Sequence, residues 1–210
     1  MFNLAVLTPT GGHVSLGYTS GMIRLVMDFA EKPIMEPDEG RYLRHHMACG
    51  SCISDNRERL VMQALKEEAT HLLFIDDDMG FTPAALRIMA RREQRVVGAN
   101  YRRRQRGGEF TAMQLDGSAS LETLECNGGI VPCRWAGLGF TLIEAQVFRV
   151  LPQPWFLIGY QKTTHVYGSE DVYFGGLLRD AGIAWYIDHD ASKLVYHTGM
   201  YDYKWDEVTA

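Results

Sequence analysis

The sequence has few cysteines and prolines and contains no long hydrophobic run. Four cysteines in 210 residues are too few for a disulfide scaffold, and seven prolines with 21 glycines in no repeat exclude collagen-like and low-complexity chains. No apolar run approaches the roughly 18 residues of a membrane span, and no basic segment precedes Phe2–Leu7 as in a signal peptide. The 11% aromatic content argues against disorder. We therefore expect one soluble, cytoplasmic globular domain over residues 1–210.

The cysteines leave a zinc site as a weak alternative to reduced thiols. Cys49 and Cys52 have the spacing of zinc ligands. Cys126 and Cys133 are seven residues apart and enclose Pro132, which departs from the usual spacing of structural zinc sites. Reduced thiols are the preferred interpretation.

The first hundred residues alternate short apolar runs with segments of helical periodicity. Leu4–Leu7 stops at a Gly-rich loop, Thr8–Gly12, and His71–Ile75 stops at three aspartates. Continuous apolar strands separated by helices predict an α/β fold with a Rossmann-like sheet, parallel in this half, whose ligands bind at the loops after the strands. Predicted strands cover residues 4–7, 42–47, 71–75 and 95–99, and predicted helices cover 16–31, 54–69 and 82–92.

The second half is less regular. Residues 107–134 are polar and Gly-rich, and weak strand signals within them favour a hairpin of 109–115 with 121–125. The remaining predicted elements are a strand over 135–143, helices over 144–150 and 170–180, and closing strands over 184–187 and 194–196.

Asp76, Asp77 and Asp78 directly follow a buried strand. Three adjacent carboxylates repel one another unless a cation offsets them. In an extended chain Asp76 and Asp78 would point to one face, and hard oxygen ligands favour Mg²⁺ or Mn²⁺. The alternative is a solvated acidic turn ahead of a helix capped by Thr82.

Six sequence elements together resemble the GT-A fold glycosyltransferases, in particular the small inverting, nucleotide-sugar-dependent family of bacterial and phage enzymes. Phe74–Asp78 resembles the Asp-x-Asp motif of that family. The resemblance covers residues 2 to about 199 and implies a mixed sheet flanked by helices, located in the host cytoplasm if the chain is phage-encoded. The other matching elements, in chain order, are Thr8–Thr10, Ser54–Arg57, Trp135–Phe140, Gly168–Asp171 and Tyr196–His197.

The resemblance implies a nucleoside-diphosphate sugar donor bound with Mn²⁺ or Mg²⁺ by residues 1–100, and an acceptor bound by residues 107–200. Asp78 is favoured as the direct metal ligand, with Asp76 nearer the ribose, although this assignment stays open. The implied metal ligands are Asp76, Asp78 and His197, and the implied donor-binding residues are Thr8, Pro9, Thr10, Asn56, Arg57, Asp76 and Asp77.

The resemblance also implies that Asp171 is the general base that deprotonates the acceptor hydroxyl and that Glu170 positions the acceptor. Both residues open a helix, where acidic residues are also common as caps. The implied acceptor-side residues are Trp135, Gly137, Gly139 and Arg102.

Several of these residues have ordinary structural alternatives. His197 could be a hydrogen-bonded histidine at a strand end. Arg57 could pair with Asp55 or Glu58 on its own helix. Gly137 and Gly139 could form a β-bulge instead of allowing close approach to a sugar.

The net charge of −5 conceals a basic segment. Arg91–Arg106 contains seven arginines and one acid, so it carries +6 and the remainder −11. Arg102–Arg106, followed by two glycines, predicts a basic loop that contacts donor phosphates, binds an anionic acceptor such as lipopolysaccharide, teichoic polymer or DNA, or is simply solvated.

Two other functions compete with glycosyl transfer. A sugar-nucleotide pyrophosphorylase-like nucleotidyltransferase would carry a basic residue after its Gly-rich loop, and Thr8–His13 has none. A non-catalytic nucleotide- or sugar-binding module would be expected to have lost part of the Asp76, Asp78, Asp171 and His197 set. The acceptor, a glycan, a protein or a modified DNA base, and the oligomeric state stay open.

Overall fold

The computed structural model describes residues 2–34, 41–104, 108–161, 165–199 and 202–206. The strands are β1 (Asn3–Thr10), β2 (Tyr42–Cys49), β3 (His71–Ile75), β4 (Met79–Phe81), β5 (Val96–Gly98), β6 (Ile130–Cys133), β7 (Phe140–Glu144), β8 (Gly159–Gln161), β9 (Val166–Gly168), β10 (Trp185–Asp188), β11 (Val195–Thr198) and β12 (Asp202–Tyr203). The helices are α1 (Leu16–Glu31), α2 (Ile53–Lys66), α3 (Pro83–Arg91), α4 (Ala145–Val150), α5 (Glu170–Asp180) and α6 (His189–Ser192).

A seven-stranded mixed sheet forms the centre of the fold, in the order β2-β1-β3-β7-β5-β10-β6. The pairs β1–β2, β1–β3 and β5–β10 are parallel. Strand β7 lies antiparallel between β3 and β5, and β6 is antiparallel to β10. The expected parallel pairing is confirmed for β1 with β2 and β3, but the sheet of this half is not wholly parallel, because β3 and β5 are separated by β7, an antiparallel strand from the second half of the chain.

Helices cover both faces of this sheet. Side chains alternate along each strand, so Leu72 and Phe74 of β3 face the layer formed by α2, α4 and α5, whereas Leu73 and Ile75 face the layer formed by α1 and α3. Burial on both faces explains why the strand reads as a continuous apolar run.

A small three-stranded sheet, β12-β11-β4, lies beside the aspartates. Its β4 begins immediately after Asp78, and its antiparallel partner β11 places His197 opposite Met79. Helix α1 packs closely against Phe81 of β4 at Gly21, where a Cβ would lie only 2.7 Å from the Phe81 ring. The pairing of β4 with β11 brings His197 to the Asp76–Asp78 segment.

The predicted helices are confirmed, two of them with identical bounds, 16–31 and 170–180. Helix α2 begins after Cys52 rather than after Ser54 or Asp55. The strand predicted over 135–143 begins only at Phe140. No helix in the described part of the chain is both long and apolar enough to cross a membrane.

The predicted hairpin of 109–115 with 121–125 forms only as a short antiparallel contact and not as two strands. Met113 bridges Ser120, the Gln114 amide donates to the Ala119 carbonyl at 3.0 Å, and the Leu121 amide donates to the Ala112 carbonyl at 2.7 Å. The buried side chain of Asn100 supports this contact, because its Oδ1 accepts from the Ala112 amide at 3.0 Å and its Nδ2 donates to the Leu121 carbonyl at 2.7 Å. A side chain therefore satisfies main-chain groups that a neighbouring strand would otherwise satisfy.

Candidate functional site

A cleft with a volume of about 170 Å³ opens at the carboxyl ends of β1 and β3. It is smaller than the roughly 300–1,000 Å³ of typical ligand clefts. Six of the sequence-predicted donor or metal residues meet here: Pro9, Thr10, Asn56, Asp76, Asp77 and Asp78. The other lining residues are Gly11, Gly50, Ser51, Ile53 and Arg104.

The three aspartates form a tight turn, not the extended segment that we expected. The Met79 amide donates to the Asp76 carbonyl at 3.1 Å and closes the turn. Three separate parts of the fold bond to its main chain, so the turn is fixed on all sides. These bonds are Asp76 N to Gly139 O at 3.0 Å, Ser15 N to Asp77 O at 2.8 Å and Thr198 N to Asp78 O at 2.7 Å.

Arg57 connects the aspartate turn to the start of α5. Its side chain is only 2% exposed; Nη2 donates to Asp76 Oδ1 at 2.9 Å, and Nη1 donates to Glu170 Oε1. Burial alone would lower the pKa of Arg57, but Asp76 and Glu170 raise it above its ordinary value, so the guanidinium stays charged.

This arrangement differs from the salt bridge on its own helix that the sequence allowed. The partners of Arg57 are not Asp55 or Glu58, and Asp55 pairs with Arg59 at 2.9 Å. Each Nη of Arg57 donates to a carboxylate of the site. Arg57 therefore positions other site residues, and its contact with a donor stays a prediction.

Glu170 and Asp171 occupy the first turn of α5, as predicted. Burial raises the pKa of Glu170, while the Arg57 guanidinium lowers it. Asp171 has a buried carboxylate oxygen, Oδ1, with no hydrogen-bond partner among the described residues. A buried acceptor without a partner is costly in a fold, so this oxygen is open to a hydrogen-bond donor.

His197 lies beside the aspartate turn. Its Nδ1 donates to the main-chain carbonyl of Arg102, because a carbonyl only accepts, and this bond orients the ring and leaves Nε2 outside it. Burial raises the pKa of Asp78, and the nearby His197 lowers it.

The ligand types fit a divalent cation, although the predicted set is not assembled as a metal centre. No group of three or more histidine, cysteine, aspartate or glutamate side chains in the described ranges is arranged to hold a metal ion. Two of the carboxylates form ion pairs with arginines instead. Arg57 pairs with Asp76, and the Arg104 Nη1 lies 3.0 Å from Asp78 Oδ2. Two carboxylates and a histidine side chain are still ligand types that Mn²⁺ and Mg²⁺ accept.

Tyr101 is a site residue that the sequence did not reveal. It is buried, and its hydroxyl oxygen accepts from the Gly139 amide at 2.7 Å. Its ring meets the His197 ring edge-on, with centroids 4.7 Å apart. Burial raises its pKa well above the ordinary value, and Asp76 and Asp171 raise it further, so the phenol stays protonated. Its position two residues after the predicted strand 95–99 was the available signal.

The space at Gly137 and Gly139 is filled from within the protein. A Cβ at Gly139 would lie 2.5 Å from the Tyr101 hydroxyl and 3.0 Å from Asp76 Oδ2, and a Cβ at Gly137 would collide with the same hydroxyl. Both glycines are buried, so they make room for Tyr101, and their contact with an acceptor stays a prediction. Trp135 is half-buried, and its proposed acceptor contact stays a prediction.

Gly139→Ala is expected to lower the free energy of unfolding by about 1–3 kcal/mol, the usual cost of overpacking. The cost should fall in a Tyr101→Phe background, which removes the closest atom. Urea unfolding of the wild type, both single variants and the double variant would measure this coupling.

Gly159→Ala provides a matched control, because a Cβ there meets nothing within 4 Å. Its expected effect is within about 0.5 kcal/mol. Equal costs of Gly139→Ala with and without the Tyr101 hydroxyl would contradict the close-packing explanation.

Thr8, Pro9 and Thr10 form the end of β1, and both threonine hydroxyls bond within the protein. Thr8 is fully buried, and its hydroxyl bonds to the Tyr18 hydroxyl of α1 at 2.7 Å, so its side chain is already satisfied and its donor contact stays a prediction. Thr10 Oγ1 accepts from the Gly12 amide at 3.0 Å. Pro9 and Thr10 line the cleft, and their donor contacts stay predictions. Asn56 also lines it and donates to the Gly50 carbonyl at 3.0 Å.

The arginines of the basic segment Arg102–Arg106 differ in their exposure to solvent. Arg102 is only 7% exposed, donates to the Gly108 carbonyl at 2.8 Å and stacks over Phe110, so it is not part of a solvated loop. Arg103 and Arg104 are exposed. Residues 105–107, which include Arg106, lie outside the described ranges.

No family model and no curated protein matches the chain. Among solved structures, A197 from STIV aligns with a TM-score of 0.63 at 18% sequence identity, and the match covers 94% of this chain and 86% of that chain. At this identity the likeness concerns the fold alone. The chain therefore shares its mixed α/β architecture, a seven-stranded sheet flanked by helices, with A197 from STIV.

Proposed function

We propose that the protein is a metal-dependent inverting glycosyltransferase of the GT-A fold that moves a sugar from a nucleoside-diphosphate donor to an acceptor hydroxyl. One observation carries the proposal. Buried Arg57 bonds to Asp76 in the cleft and to Glu170 at the start of α5, so the carboxylates assigned to the donor and those assigned to the acceptor form one connected site.

The donor half of the proposal uses the cleft. Gly11 and Thr10 provide main-chain surface close to the aspartates, and the Gly11 amide already donates to Asp77 Oδ2 at 3.3 Å. Asp78 and His197 would hold the divalent ion, which would supply Lewis-acid stabilisation to the departing diphosphate when bound.

The acceptor half of the proposal uses the first turn of α5. The helix N-terminus stabilises negative charge, and the unpartnered Oδ1 of Asp171 would accept the proton of the acceptor hydroxyl as it attacks the anomeric carbon. Glu170 is held by Arg57, which fixes the start of the helix and therefore the direction of the Asp171 carboxylate.

A nucleotide- or sugar-binding module without catalysis is the competing function. The arginine partners of Asp76 and Asp78 favour it, because they leave no assembled metal centre. The two functions differ in turnover: a binding module would take up metal and nucleotide but release no diphosphate from a sugar donor. A pyrophosphorylase-like nucleotidyltransferase would instead release inorganic pyrophosphate from a nucleoside triphosphate.

We expect MnCl₂ and UDP or GDP together to raise the melting temperature by more than the sum of their separate shifts. The reason is that a metal held by Asp78 would also bind the diphosphate, so each ligand stabilises the site for the other. A thermal-shift titration measures this, and a panel of nucleotide sugars extends it to the donor.

Asp78→Asn should abolish the excess shift, while Asp116→Asn, at an exposed aspartate bonded to Ser118, should retain it. Additive shifts in the wild type, or an excess shift that survives Asp78→Asn, would count against the proposed function.

A further inference from the structure

Arg104 occupies the position at Asp78 that a metal ion would need. Its Nη1 lies 3.0 Å from Asp78 Oδ2. The Arg104 side chain is 61% exposed, whereas that of Asp78 is 18% exposed. Arg104 also lines the cleft together with Pro9, Thr10 and Gly11. A long, exposed cation therefore rests on a largely buried carboxylate at the mouth of the cleft.

The three aspartates differ in how their charge is offset. Asp76 is held by the buried guanidinium of Arg57, and Asp77 accepts from the Gly11 main chain. Asp78 faces Arg104, whose side chain is 61% exposed, and an ion pair with an exposed partner shifts an equilibrium by only about two- to fivefold. The contact at Asp78 is thus the exchangeable one.

We propose that Arg104 is a donor-phosphate ligand held on Asp78 until a divalent cation replaces it. This inference rests on the proposed function. A divalent cation at Asp78 repels the guanidinium on the same carboxylate, so metal entry releases Arg104. The released fork remains on the wall of the same cleft, where a diphosphate offers the oxygen geometry that guanidinium binds best.

The exchange couples metal binding to nucleotide binding. Metal alone must displace Arg104 without providing it with a new partner, so its affinity is reduced. When a diphosphate binds together with the metal, the displaced guanidinium gains a phosphate partner, and the metal affinity lost by displacing Arg104 is restored. Each ligand therefore strengthens the other, and this coupling is reciprocal. Part of the cooperation between Mn²⁺ and nucleotide thus depends on a single exposed arginine.

The test compares Arg104→Gln with Arg103→Gln, a neighbouring exposed arginine. Calorimetric titration with MnCl₂ alone should show tighter binding to Arg104→Gln by about two- to fivefold, because the internal competitor is gone. At saturating MnCl₂, UDP and inorganic pyrophosphate should both bind Arg104→Gln about tenfold or more weakly, because a charged hydrogen bond to phosphate is lost. Arg103→Gln should behave like the wild type in all three titrations.

Opposite signs for the metal and the diphosphate are the decisive result, since a merely structural role would weaken both. Unchanged or weaker Mn²⁺ binding by Arg104→Gln overturns the exchange, and so does unchanged binding of pyrophosphate. Wild-type protein that binds neither Mn²⁺ nor UDP overturns the proposed function itself. Wild-type protein that binds both, with no effect of Arg104→Gln, overturns only the role of Arg104.

Discussion

Arg57→Gln is expected to lower the free energy of unfolding by about 3–5 kcal/mol, the usual cost of removing one member of a buried ion pair. Arg57 is fully enclosed and bonded to both Asp76 and Glu170. Without it, two neighbouring carboxylates face each other in a poorly solvated environment with no cation between them. Urea unfolding monitored by tryptophan fluorescence would measure the change.

Arg59→Gln is the matched control for this prediction. Arg59 lies on the same helix and pairs with Asp55, but both side chains are at least half exposed. An exposed pair of this kind contributes up to about 1 kcal/mol. Similar costs for Arg57→Gln and Arg59→Gln would show that the buried bridge is not a major contributor.

A double variant separates the charge effect from simple loss of packing. Glu170→Gln removes one of the two carboxylates, so adding it to Arg57→Gln should recover part of the lost stability. Arg57→Lys keeps the charge but cannot form a fork, and we expect an intermediate cost. If the costs of Arg57→Gln and Glu170→Gln simply add, the two side chains are not coupled.

Local sequence patterns predicted most of the elements but not their arrangement in the sheet. Helices α1 and α5 and strand β3 have the expected bounds, because helical periodicity and apolar runs depend on neighbouring residues. The antiparallel insertion of β7 between β3 and β5 depends on where a distant segment docks. An apolar strand buried on both faces has the same local pattern whichever direction it runs.

The site residues follow the same division. Pro9, Thr10, Asn56 and the aspartates were found from motifs, and they do meet in one cleft. The residues that hold these side chains in place could not be found from motifs, because their contacts join residues far apart in the sequence. Arg57 is 113 residues from Glu170, and Tyr101 is 38 residues from Gly139.

Glycine and arginine were especially ambiguous in sequence. Two glycines in Trp135–Phe140 indicated close approach of a ligand, and the structure shows close approach of Tyr101 instead. The arginine run suggested one basic loop, yet Arg102 is buried and Arg104 is exposed at the cleft. A glycine indicates that some group approaches the backbone closely, and an arginine indicates that some group needs a positive charge. Neither residue type identifies that group.

Asp171→Asn is expected to reduce release of nucleoside diphosphate from the sugar donor by about 10²–10⁴-fold, the usual contribution of a general base. The substitution keeps the side-chain shape but removes the ability to accept a proton. Donor affinity should stay within about twofold, because Asp171 does not line the cleft at the aspartate turn and its loss removes no charged contact to a diphosphate bound there. Steady-state release from the donor selected by thermal shift, with water or a supplied acceptor, would measure turnover.

Asp180→Asn, at the exposed far end of α5, is the control and should leave both turnover and donor affinity unchanged. Retained turnover in Asp171→Asn would exclude Asp171 as the base. A parallel loss of turnover and donor affinity would instead indicate that the start of α5 had moved, since Glu170 transmits any shift of that helix to Arg57 and Asp76. A base acts only in the reaction step, so a fall in turnover at constant donor affinity distinguishes it from a residue that merely holds the site together.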